Sequence, residues 1–98
     1  MTASETQGGA GEVAELRQRI ESLDRRLLEQ VAERVELARR IGAVKRGRDA
    51  ATLDPGREAA VIRRAVETGR GHGLPEEPVR QIFWTLVELC RSAQMEGR

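Results

Sequence analysis

The feature that most constrains this chain is a helical apolar period that runs unbroken from Val13 to Val44. Apolar residues fall at positions 13, 16, 20, 23 and 27, then 31, 35, 37, 38, 41 and 44, and neither proline nor glycine enters before Gly42. Spacings of three and four place them on one stripe. The pattern predicts a single helix from about Glu12 to about Arg46, ~50 Å long at the usual rise per residue. A compact domain of 98 residues is only ~30–35 Å across, since its expected radius of gyration is ~13 Å. Such a helix must project from its own subunit, and its stripe then needs a partner. The simplest partner is a second copy.

The rest of the chain continues the theme. Gly47 to Leu53 reads as a loop. Asp54-Pro55 opens a second helix, because Asp is a good N-cap and Pro is favoured at the first helical position. Val61, Ile62, Ala65 and Val66 carry it to about Arg70, where Gly71, His72 and Gly73 break it. Pro75-Glu76-Glu77 starts a third helix with acids in its positive first turn. Its apolar face is Val79, Ile82, Phe83, Leu86, Val87, Cys90 and Ala93, and it ends near Met95. Phe83 and Trp84 are expected in the core. The fold class is therefore all-α, with one long, one short and one medium helix per chain in an intertwined homodimeric bundle. Residues 1–11, polar and Gly-rich, read as a disordered leader ahead of a domain spanning 12–96.

Composition narrows the function. Apolar residues make up 39% of the chain but aromatics only 2%, so Leu, Val, Ile and Ala must build the core. A net charge of +1 argues against an electrostatic grip on nucleic acid. Cys90 is the sole cysteine and His72 the sole histidine, which leaves no Cys- or His-based metal site. His72 itself reads as a solvated loop residue. No stretch approaches the ~20 apolar residues of a membrane span, and no signal-peptide core is present, so a cytoplasmic protein is expected.

Among 17 basic residues, Lys45 is the lone lysine and the others are arginines. It is either a survivor by chance or a position that needs a compact ammonium, which guanidinium cannot imitate. The heptad stripe is apolar except at Gln30 and Arg34, and a charge there is costly unless paired or bound to a ligand. Arg34 and Lys45 differ by about 20° in helical phase and ~16 Å along the axis, so both could converge on one anion. A glutamate on a neighbouring helix could instead satisfy Arg34. Arg17 lies ~25 Å from Arg34 and is turned about 100° away, so it reaches such a pocket only from a partner subunit. Cys90 and Gln94 share the edge of the third helix's apolar face. Arg57 and Glu58 sit in the first turn of the second.

Together these positions resemble the all-helical chorismate mutases of the AroQ class. The matching segments are LRQRIESLDRRLLEQVAERVELARRIGAVK, LDPGRE and LVELCRSAQ, from about Leu16 to Gln94. The resemblance implies a cofactor-free rearrangement of chorismate to prephenate, in aromatic amino-acid biosynthesis, at sites shared across a homodimer. It implies that Arg17 of one subunit and Arg34 of the other pair with the two substrate carboxylates. Lys45 and Gln94 would donate to the ether oxygen, and Glu58 would accept from the ring hydroxyl, with Asp54 and Arg57 nearby. Cys90 stands where the family often has Ser and would line the pocket.

A pericyclic step needs no nucleophile or metal. It needs a cage that holds a flexible dianion in its reactive conformation and aims fixed donors at the charge that develops. Sister enzymes with this fold are the nearest rivals. Isochorismate-pyruvate lyases lack the acid at Glu58, which favours the mutase, while 4-amino-4-deoxychorismate mutases are excluded less firmly. A non-catalytic helical dimerisation module would leave Lys45, Arg34 and Gln94 as coincidences. Some short family members depend on a larger synthase as activator, and the sequence leaves such a partner open.

Overall fold

The computed structural model describes residues 2–47 and 53–96, with side chains described from Gly9 onward. The order is α1 (Thr2–Gly47), α2 (Pro55–Gly71) and α3 (Glu76–Gln94), with no strand among the described residues. Each boundary other than the start of α1 falls within a residue or so of its expected place. Most of the expected Gly47–Leu53 loop lies outside the described residues. Helix α1 begins at Thr2 rather than near Glu12, so the stretch expected as a disordered leader has helical backbone. Helix propagation costs little per residue once a nucleus exists. The glycines there lower propensity but impose no steric break of the kind a proline would.

The chain divides into two compact units, Met1–Ala32 and Glu33–Arg98. In the first, Val13, Leu16, Ile20, Leu23, Leu27 and Leu28 are 45–66% exposed, so the apolar stripe is uncovered. In the second, the remainder of α1 meets α3 through Ala38, Cys90 and Ala93, with Val35 beside them. Ile62, Val66 and Gly69 of α2 and Val79 and Val87 of α3 are also buried. The small residues set the spacing. A β-carbon on Gly69 would stand 3.1 Å from the Val79 side chain, and one on Gly42 would stand 2.8 Å from the Gln94 Cα. At Gly42 the backbones of α1 and α3 nearly touch.

Local signals position the ends. Asp54 caps α2 by accepting from the Arg57 backbone N–H at 3.1 Å, which satisfies one of the orphan donors of the first turn. Helix α2 stops in a Schellman turn: Leu74 N–H donates to the Gly69 carbonyl at 2.9 Å and Gly73 N–H to the Arg70 carbonyl at 3.0 Å. Gly73 supplies the required left-handed residue, with φ 74°. Arg70 pairs with Glu76 across this turn.

Trp84 departs from its expected place. It is 39% exposed rather than in the core, because it lies ~100° around α3 from Phe83 and off the Val79–Val87–Cys90 line. Phe83 is half-buried. Among the described residues, seven apolar side chains are buried and fifteen large ones are exposed. No described helix is long and apolar enough to cross a membrane.

Candidate active site

A cleft of about 220 Å³ opens within the second unit, where α1, α2 and α3 come together. Its polar lining is Arg34, Arg57, Glu58, Cys90 and Gln94, and its apolar floor includes Ala38, Ile41, Val61 and Val87. Five of the eight residues singled out from sequence therefore share one recess. Arg34 comes from the apolar stripe of α1, the first turn of α2 delivers Arg57 and Glu58, and the last turns of α3 deliver Cys90 and Gln94.

Arg34 has no carboxylate partner among the described residues. Its Nη1 donates to the Cys90 Sγ at 2.7 Å instead. Sulfur is a weak acceptor and a guanidinium carries five donors, so most of the hydrogen-bonding capacity of Arg34 remains unused. Glu58, by contrast, is held. Arg91 donates from Nε to Oε2 at 3.0 Å and from Nη2 to Oε1 at 2.5 Å. The Arg91 hydrogen bonds pull the Glu58 carboxyl below the usual carboxylate range, against a smaller upward push from burial. The cleft thus presents two guanidiniums and one carboxylate whose charge is already balanced from behind. The charge left facing the cleft is positive.

The backbone of Gln94 is fixed as firmly. Its carbonyl, left over at the end of α3, accepts from Arg46 Nη1 at 2.7 Å. Nearby, Arg39 pairs with Glu96 at 2.5 Å. Arg39, Gly42 and Arg46 share one face of α1 at helical spacing, so that face clips the end of α3 and sets where the Gln94 side chain begins.

Three predicted residues lie apart from the cleft. Lys45 is half-buried and borders a neighbouring apolar recess with Leu37 and Ile41, both of which also line the cleft. Asp54 caps α2 and is exposed. Arg17 is exposed and belongs to the first unit. Sequence reasoning missed Arg91 and Arg46, because which arginine meets Glu58 or the Gln94 carbonyl depends on how the helices pack.

The model of the family described as chorismate mutase type II matches residues 16–95. The chain belongs to that family. The match takes in every residue of the cleft and also Arg17, Lys45 and Asp54. Among curated relatives, a bifunctional chorismate mutase/prephenate dehydratase of Stutzerimonas stutzeri is 31% identical over 91% of this chain, which spans 26% of that protein. A 4-amino-4-deoxychorismate mutase of Streptomyces venezuelae is 32% identical over 82% of this chain and 79% of its own length. A chorismate mutase of Methanocaldococcus jannaschii is 29% identical over 86% of this chain and 85% of its own. The all-helical architecture and the isomerase class expected from sequence both stand.

Proposed function

We propose that this chain rearranges chorismate to prephenate in the cytoplasm, as a homodimer in which each site combines residues of both subunits. The observation that carries the chemistry is Arg34, a cation on an apolar stripe, half-buried, bonded to a thiol and facing an anion-sized cleft beside Arg57. Arg34 and Arg17 of the partner subunit hold the two carboxylates of the substrate, a task suited to bidentate guanidinium. Gln94 and Lys45 donate to the ether oxygen as the C–O bond breaks and negative charge gathers there. Glu58 accepts the ring hydroxyl and so fixes the orientation of the ring, while Cys90 keeps the wall beside Arg34 small. Residues 12–96 form the catalytic domain.

The dimer is supported by self-complementarity. Each chain carries the uncovered stripe over Val13–Leu28 and an uncovered groove of about 560 Å³ along α2 and α3. Arg34, Arg57 and Val61 line both this groove and the cleft. A helix laid in the groove therefore borders the cleft and can deliver a side chain to it. Burying such surfaces contributes ~25 cal/mol per Å² of apolar area.

The test is to follow the loss of chorismate absorbance with purified protein and to identify the product. Stoichiometric prephenate is expected. Release of pyruvate from isochorismate, or no turnover of any enolpyruvyl ether, would sink the reading. A preference for 4-amino-4-deoxychorismate would place the chain with the Streptomyces venezuelae relative instead.

A further inference from the structure

Glu58 and Arg91 form a forked ion pair in which only one member belongs to the cleft. Glu58 lines it, whereas Arg91 does not and approaches the carboxylate from outside. The fork uses one lone-pair site on each oxygen. A carboxylate has about four such sites, so acceptor capacity remains on the cleft side. The Glu58 side chain is 18% accessible and that of Arg91 38%, so solvent screens this pair only partly. The other cleft-lining charges are Arg34 and Arg57, both positive. Asp54, the next acid to Glu58, does not line the cleft and has one oxygen committed to the cap of α2. Glu58 therefore offers hydrogen-bond acceptance with little net negative charge.

Resting on the chorismate mutase reading above, we infer that Arg91 is a specificity-determining positioning residue, which makes Glu58 select a neutral hydroxyl over an ammonium on the substrate ring. A hydroxyl needs only an acceptor with fixed direction, and the fork supplies direction. An ammonium at the same ring carbon needs an uncompensated anion, and Arg91 has already compensated it. Selection thus works against the wrong group as much as for the right one. A bare glutamate at the same place would pair with the cation.

The experiment measures kcat/KM for chorismate and for its 4-amino analogue with wild type, Arg91→Leu, Arg91→Gln and Arg91→Lys, each checked for native helicity by circular dichroism. Wild type should favour the hydroxyl substrate. Removing the charge in Arg91→Leu and Arg91→Gln should shift the ratio toward the amine by at least ~10-fold, while Arg91→Lys, which keeps the charge, should stay within about 3-fold of wild type. Should Arg91→Leu fail to fold, the Gln and Lys variants still decide. If both substrates lose activity equally and the ratio stays within 2-fold, Arg91 merely braces the fold and the inference is overturned. A wild type that prefers the amine overturns it too. A wild type inert on both substrates overturns the enzymatic reading itself, which is a different failure.

Discussion

At the scale of single residues, the proposed chemistry depends on donors of particular shape. Lys45 is the only lysine among seventeen basic residues, and an ammonium presents its charge as a point where guanidinium presents a plane. Lys45→Arg should lose at least ~10-fold in kcat/KM and Lys45→Ala ~10³-fold. Near-normal turnover by the arginine variant would remove Lys45 from the mechanism. Gln94 is testable through pH. Gln94→Glu sets an anion beside the ether oxygen at neutral pH, and protonating it restores a donor, so activity should rise as pH falls from 8 to 5. Glu58 does not confuse this reading, because Arg91 holds its carboxyl below the ordinary 4.5 and it stays ionised over that range. The same depression links the pair to stability. A folded-state value below the unfolded one stabilises the fold above about 4.5, and that contribution drains away as pH falls through the folded value. Urea midpoints of wild type and Glu58→Gln should differ most near pH 7 and converge in acid. A gap of constant size across the titration would show that the ion pair contributes nothing.

At the scale of elements, the decisive contact is where α1 and α3 meet at Gly42. Alanine is the better helix former by ~1 kcal/mol, so propensity alone makes Gly42→Ala stabilising. The added carbon would stand 2.8 Å from the Gln94 Cα, however, and backbone cannot rotate away as a side chain can. Overpacking typically costs about 1–3 kcal/mol, so a net loss in stability is expected, with reduced turnover because Gln94 shifts. A urea midpoint equal to or above that of wild type would show that α3 yields freely. Gly42 also marks what sequence could and could not convey. The Asp54 cap, the Gly73 turn and the apolar periods are local, and each was legible from neighbours in the chain. The grouping of Arg34, Arg57, Glu58, Cys90 and Gln94 was legible through resemblance. The close approach at Gly42, the clip made by Arg46 and the fork from Arg91 depend on the register between helices. No single segment encodes that.

At the scale of the whole molecule, the proposal of shared sites predicts complementation. Arg17→Ala and Lys45→Ala homodimers should each be nearly inactive, since every site lacks one group. Refolding an equal mixture should make about half of the dimers mixed, each with one doubly mutated and one intact site, by the symmetry of the assembly. About a quarter of wild-type activity should return, with the wild-type KM. Mixed dimers detected by mass but without activity would mean that the site is built within one chain. The uncovered stripe from Val13 to Leu28 has a further consequence for how such a protein behaves in solution. If its apolar cover is another copy, mass action governs the native state, and dilution works as a denaturant. Each tenfold dilution weakens a dimeric native state by ~1.4 kcal/mol relative to unfolded chains. Specific activity and melting temperature should then fall together as the protein is diluted, making the number of copies in a cell a control on the reaction in its own right.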